Sequence, residues 1–227
     1  MRNQIIFLLI IFSTLLFSCG SPKKNDLPEG FVYLNEVIPE IDLQMRYYGN
    51  DNFVGTQVKG YEKEICICTK EAALAIKEVQ EKLAKKGYSL RIFDAYRPQR
   101  AVNHFIEWAK NINDTLTKSK YYPEVKKKDL FRLNYIAEKS SHSRGSTLDI
   151  TLLDENGEAL DMGTPFDYFG PKSWPTSNEV TKEQKDNRMI LQGMMIKYGF
   201  NPYQEEWWHF TLKDETFPDT YFDFTVK

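Results

Sequence analysis

Between residues 69 and 109 the spacing of the apolar side chains changes twice, and that limits the ways this chain can fold. Ala72, Ile76, Val79 and Leu83 step by four, three and four, which draws one apolar stripe along a helix. Thr69 stands where an N-terminal cap is expected, and Gly87 follows as a stop signal after about Lys86. Tyr88, Leu90 and Ile92 then alternate with Ser89, Arg91 and Phe93, the period-two pattern of a strand. From Pro98, well suited to the first position of a helix, the helical period returns. Its apolar face is Ala101, Val102, Phe105, Ile106 and Ala109. His104 lies away from the centre of that face and reads as a surface or packing histidine.

Further on, Leu148, Ile150 and Leu152 alternate with Asp149 and Thr151 in a second strand, closed by a turn at Asp154-Glu155-Asn156-Gly157. Lys185 to Tyr198 reads as a helix ended by Gly199, and Glu205 to Leu212 as a last, aromatic strand. Asp161 to Glu179, rich in Gly, Pro and aromatic residues, reads as a long ordered loop, a type of segment that often carries function. Asn111 to Lys128 is polar, and its run Lys126-Lys127-Lys128 reads as a solvated loop face. Helices and strands are interspersed without a regular βαβ alternation. The expectation is an α+β fold in a single domain, with helices packed on a mostly antiparallel sheet.

The first residues read as an address. Met1-Arg2-Asn3 is a short positive start, and Ile5 to Phe17 is almost wholly apolar. At about 13 residues that run is short of the roughly 20 a membrane span needs. It ends Leu16-Phe17-Ser18-Cys19-Gly20, which looks like a bacterial lipobox whose cysteine becomes the lipidated N-terminus. Residues 1–18 are therefore expected to be a lipoprotein signal and 19–28 a tether. Residues 29–227 are expected to be the working domain, exported and anchored to a bacterial membrane through Cys19.

Composition removes some classes of function. Lys plus Arg is 30 and Asp plus Glu is 32, a net charge of −2, so nothing resembles the basic excess of a nucleic-acid binder. Three cysteines cannot build a disulfide scaffold, and Cys66 and Cys68 read as buried structural thiols on one strand face. With three histidines in all, a histidine-built site has few candidates.

Three segments set polar groups at strand ends or turns: Asp94 to Pro98, Ser140 to Asp149, and Glu205 to His209. Asp149 lies inside an apolar strand, where a carboxylate is disfavoured and, once buried, needs a partner or a metal. His209 sits in an aromatic strand with the same need. His142, Asp149 and His209 with an open position would make a catalytic zinc site. Glu206 is three before His209, so in a regular strand the two would point to opposite faces. At the strand entry or on a bulge, Glu206 could instead share the site, take a proton from the attacking water and return it to the leaving amine. Arg97 could stabilise the oxyanion. Taken singly, these segments fit other readings: Asp94-x-x-Arg97 can be a plain salt bridge, and no His-Glu-x-x-His motif is present.

Together the segments resemble the D-alanyl-D-alanine dipeptidase family, the vancomycin-resistance type of zinc dipeptidase, related to zinc D,D-carboxypeptidases and the hedgehog domain. The Ser-x-His-x6-Asp block stands as Ser140, His142 and Asp149, and Glu-x-Trp-His as Glu206, Trp208 and His209. Asp-x-Tyr-Arg-Pro stands as Asp94, Tyr96, Arg97 and Pro98. Further matches are Leu116-Thr117-Lys118, Tyr121-Tyr122-Pro123, Met162-Gly163, Phe166-Asp167 and the ending Tyr221-Phe222-Asp223-Phe224. The resemblance implies one zinc ion on His142, Asp149 and His209, Glu206 as general base and acid, and Arg97 at the tetrahedral intermediate. It also implies that Ser140 and Tyr135 meet the substrate carboxylate while Asp167 holds its free ammonium. The expected reaction is hydrolysis of D-alanyl-D-alanine to two D-alanines. The alternatives are a zinc D,D-carboxypeptidase or endopeptidase acting on peptidoglycan stems, and a metal-bearing binding domain without catalysis. The resistance enzymes work in the cytoplasm. An exported chain could not drain that pool, so cell-wall turnover or dipeptide scavenging is the expected role.

Overall fold

Five strands form the central sheet of the computed structural model, which describes residues 27–227. In chain order the elements are β1 (Phe31–Tyr33), α1 (Leu34–Val37), β2 (Asp42–Leu43), β3 (Ile67–Thr69), α2 (Lys70–Ala84) and β4 (Ser89–Asp94). They continue with α3 (Gln99–Lys110), α4 (Lys118–Tyr121), β5 (Thr147–Leu153), α5 (Lys182–Lys197), β6 (Phe200–Pro202) and β7 (His209–Leu212). The central sheet runs β2-β4-β5-β7-β6, with β2 parallel to β4 and every other pairing antiparallel. β1 and β3 pair separately, antiparallel. This is the expected single α+β domain with a mostly antiparallel sheet.

Local chemistry explains the main elements. The Thr69 hydroxyl accepts from the Ala72 amide and starts α2. The predicted stripe of Ala72, Ile76, Val79 and Leu83 is wholly buried. Each of its larger side chains contributes about 1.5–3 kcal/mol by leaving water. A reciprocal capping box between Thr181 and Gln184 starts α5. Both helices pack on the sheet. In β5, alternation sends Leu148, Ile150 and Leu152 to the apolar face and Thr147, Asp149 and Thr151 to the other.

Several boundaries differ from expectation. Pro98 is the cap of α3 rather than its first residue. The last strand is only His209–Leu212, because Glu205 to Trp208 is spent in turns. Asn111 to Lys128 is more than a solvated loop: it contains α4 and buries Tyr121, Tyr122 and Lys127. The Lys127 ammonium donates to the Asp114 carbonyl at 2.8 Å and lies 3.8 Å over the Trp108 ring, which compensates its burial. Cys66 and Cys68 are buried free thiols. The Asp161 to Glu179 loop is fastened from beneath by the buried Arg188, which donates to the carbonyls of Met162, Lys172 and Trp174. The expected signal (1–18) and nearly all of the tether (19–28) lie outside the described residues. Among the described residues no helix is long and apolar enough to cross a membrane.

Gly145 joins the turn that carries His142 to β5, with φ of +86° and no space for a β-carbon against Phe31. Gly145→Ala should therefore cost about 2–4 kcal/mol through left-handed strain and overpacking. Gly157 also has a positive φ, +80°, but opens on free space. Gly157→Ala should cost only about 1–2 kcal/mol. Thermal unfolding midpoints of the two variants check the difference; equal losses would contradict this packing.

Candidate active site

Strand register builds the floor of the site. Asp149 on β5 lies level with His209 on β7 and with Asp94 on β4. The second alignment depends on a register shift between Ile92 and Asp94. Without that bulge Asp94 would fall on the opposite face of the sheet from Asp149. His142 comes from outside the sheet, on the short 3-10 turn Ser141–Arg144 that precedes β5. The Ser140 hydroxyl caps this turn by accepting from the His142 amide at 3.3 Å.

Three ligand-type atoms converge. Oδ1 of Asp149 lies 3.2 Å from His142 Nε2 and 3.2 Å from His209 Nδ1, and the two nitrogens are 3.2 Å apart. The ring protons are placed elsewhere. Nδ1 of His142 faces the Ala95 carbonyl at 2.7 Å, and since a carbonyl only accepts, that nitrogen carries the hydrogen. Nε2 of His209 faces the Ser141 hydroxyl at 3.3 Å, which can accept its hydrogen. Both remaining nitrogens then aim lone pairs at Asp149, whose buried Oδ1 receives no hydrogen bond. Acceptors crowded together without donors suit a cation, and two imidazoles with one carboxylate suit zinc. The ionisation states agree. Burial, aided by the charge of Arg97, lowers His142 to about 4 and keeps it neutral. Burial would raise Asp149, but the neighbouring imidazoles hold it below the usual carboxylate range. Burial opposes a proton on His209, but the Asp149 carboxylate beside it prevails, with Glu206, and its pKa rises, so the surroundings favour positive charge here.

Glu206 lies between two turns, just before β7 rather than within it, and its carboxylate is 3.5 Å from His209 Nδ1. Position at the strand entry removes the alternation that would have sent it to the other face. Burial raises its pKa to about 7; the His209 ring opposes the rise and the Asp149 charge adds to it. Arg97 donates from Nε to Asp94 at 2.8 Å and from a terminal nitrogen to Asp149 at 3.2 Å. Its guanidinium lies 5.0 Å over the Tyr47 ring and 5.3 Å over Phe105. The salt bridge that Asp94-x-x-Arg97 could form is thus present, and it holds Arg97 inside the site.

Asp167 sits on the loop pinned by Arg188, in left-handed backbone with φ of +62°. Tyr47 donates to both its oxygens, at 3.1 and 2.9 Å. Burial, then the Asp149 charge, raise its pKa well above the ordinary value. An arriving ammonium group would favour its ionised form. Tyr135 stacks on Phe169 at 5.2 Å, and burial raises its phenol to about 12. Arg97, Tyr135, Ser140, His142, Asp149, Asp167, Glu206 and His209 all line one cavity of about 440 Å³.

Sequence reasoning assigned no role to Tyr47, which touches both Asp167 and Arg97, nor to Ser141 beside His209. Tyr47 and Asp167 are 120 residues apart, and no periodic pattern links them. The Ser141 signal was adjacency to His142 alone.

The model of the peptidase M15 family, described as D-ala-D-ala dipeptidase, matches residues 28–227. A D-alanyl-D-alanine dipeptidase of Enterococcus faecalis is 42% identical over 202 residues, covering 88% of this chain and 100% of that protein. One of Enterococcus faecium is 40% identical over 199 residues, covering 87% and 98%. One of Escherichia coli is 31% identical over 181 residues, covering 80% and 83%. With its match to the family model running over nearly all the described residues, the chain belongs to the D-ala-D-ala dipeptidase family of M15 peptidases.

Proposed function

We propose that this chain is a zinc dipeptidase that hydrolyses free D-alanyl-D-alanine to two D-alanines. The observation that carries this reading is the shared cavity. It sets a buried carboxylate able to take an ammonium, Asp167, against a proton-transfer group, Glu206, and a cation-seeking cluster. One zinc ion per chain would be held by His142 Nε2, Asp149 and His209 Nδ1. Such an ion supplies Lewis acidity toward the scissile carbonyl and acidifies the attacking water.

The protein groups do the rest. Asp167, held by Tyr47, takes the substrate ammonium and fixes the scissile bond relative to Glu206. Glu206 takes a proton from the attacking water and delivers it to the leaving amine; a pKa raised to about 7 suits both halves of that transfer near neutral pH. Arg97 aims guanidinium hydrogens at the oxyanion, in an orientation fixed by Asp94. Ser140 and Tyr135 meet the substrate carboxylate. A lipid on Cys19 would hold the enzyme at a bacterial membrane on the exported side. Support for this comes from the apolar run at Ile5 to Phe17 and the Leu16-to-Cys19 pattern. In that compartment the role is cell-wall turnover or dipeptide scavenging.

Three measurements test this reading. Purified chain should hold about one zinc, Asp149→Ala and His142→Ala should hold essentially none after dialysis, and Glu206→Ala should keep its zinc while kcat falls roughly 10²–10⁴-fold. A Glu206→Ala chain that turns over normally would end the proposed proton transfer. Free D-alanyl-D-alanine should be cleaved and its N-acetyl form left intact, because acetylation removes the charge Asp167 recognises. Cleavage of the blocked form would instead indicate a carboxypeptidase that trims stem peptides. In cells, the chain should partition with membranes and carry acyl mass at Cys19, and Cys19→Ala should release it; an unprocessed cytosolic wild type would refute the anchoring.

A further inference from the structure

A free dipeptide is charged at both ends, and the cavity wall is rich in carboxylates: Asp149, Asp167 and Glu206. In the proposed reading the metal answers Asp149 and the substrate ammonium answers Asp167, while only the neutral Ser140 and Tyr135 meet the substrate carboxylate, which has no cationic partner of its own. Arg97 lines the cavity, but its guanidinium is engaged by Asp94 and Asp149. Lys139 is the other Lys or Arg of the lining, and among the described residues it makes no ion pair with an acid. It immediately precedes Ser140, on the segment that enters the His142 turn.

Its position is supported from outside the cavity. The Lys139 ammonium lies 4.7 Å from the centre of the Tyr221 ring. That ring is itself held by Arg144, whose guanidinium donates to the Tyr221 hydroxyl at 3.3 Å and is locked by Glu215 at 2.6 Å. One residue earlier, the Glu138 carbonyl accepts from the Gln99 side chain at 2.9 Å, tying the segment to the start of α3. Lys139 is exposed, so its ammonium stands on a flexible stem open to water and can swing toward the cavity.

We infer that Lys139, resting on the Tyr221 ring at the cavity rim, recognises the C-terminal carboxylate of the dipeptide and makes the site selective for a free carboxylic acid. The inference rests on the dipeptidase reading and adds a specificity-determining residue to it. Lys139 contributes to substrate binding and leaves bond cleavage to Glu206 and the groups around it.

The test compares D-alanyl-D-alanine with its C-terminal amide on the zinc-loaded full chain, on Lys139→Met and on Lys139→Arg. Equilibrium binding of both ligands is measured in parallel on Glu206→Ala, with and without Lys139→Met. Lys139→Met should raise KM and Kd for the free acid about tenfold while kcat changes less than about threefold. The amide should bind both forms alike, and Lys139→Arg should recover most of the affinity. An unchanged KM for the acid, or an equal rise for acid and amide, overturns the inference, since a merely structural role would move both ligands together. A wild-type chain that binds the dipeptide without cleaving it would instead refute the dipeptidase reading, and the Kd comparison would still decide the role of Lys139. A wild type that neither binds nor cleaves it overturns both.

Discussion

Burying an ionised carboxylate costs several kcal/mol unless opposite charge and donors surround it, and Asp149 is 1% exposed in the middle of the central sheet. Three elements converge on that charge. β7 brings His209 level with it, the turn before β5 brings His142 over it, and the loop after β4 brings Arg97 to its second oxygen. Each of these groups comes from a different stretch of chain, so the charge at Asp149 couples the sheet to two loops. A neutral residue there would relieve the burial but take from Arg97 one of its two carboxylate acceptors. Arg97 donates to Oδ2 alone, and Oδ1 faces two imidazole lone pairs instead of donors, so the part of the cost that remains is one a bound cation would answer.

A second layer keeps Arg97 in place. Its partner Asp94 is wholly buried and also accepts from Tyr61 at 2.7 Å. The C-terminal segment then closes over these loops. Tyr96 donates to the Phe224 carbonyl, the Gln99 amide donates to the Phe222 carbonyl, and the Phe222 amide donates to the Ser143 carbonyl. One residue, Phe222, therefore bridges the loop of Arg97 and the turn of His142. Phe31 packs against Tyr96, Phe217, Phe222 and Phe224 and joins this strap to the small sheet. The precision of the site is thus supplied by main-chain hydrogen bonds and aromatic packing behind it.

What was legible in the sequence were the places where local rules conflict. An aspartate between Leu148 and Ile150 and a histidine beside Phe210 each break an apolar strand pattern, and such conflicts concentrate at functional sites. Regular elements were readable for the opposite reason: in α2 and β5, period and capping agree. Register was not readable. The shift that turns Asp94 toward Asp149 exists only once two distant strands pair, and nothing within Ser89 to Asp94 announces it. The start of β7 was misplaced because the aromatic run from Trp207 continues the apolar pattern of the strand while its backbone is still turning. Lys127 and Arg188 were beyond reach as well, since residues of that charge are normally solvated and only tertiary carbonyls and a ring make their burial tolerable.

Asp167 and Glu206 are two buried carboxylates in one cavity, and their surroundings make them different tools. Glu206 lies against the His209 ring, and that contact opposes the rise caused by burial, leaving it near neutrality where a proton can be both taken and returned. Asp167 is raised by burial and then by the Asp149 charge, against the phenol that donates to it, so its charged form waits for a cation. An ammonium group would provide that cation and carry its own hydrogens to the carboxylate. A blocked N-terminus would instead leave Asp167 buried against a neutral amide, with its charge unanswered or its proton retained. In the proposed role of Asp167, selectivity for a free amine would follow from desolvation as much as from contact, because the penalty would fall on the ligand that fails to bring charge to an acidic pocket.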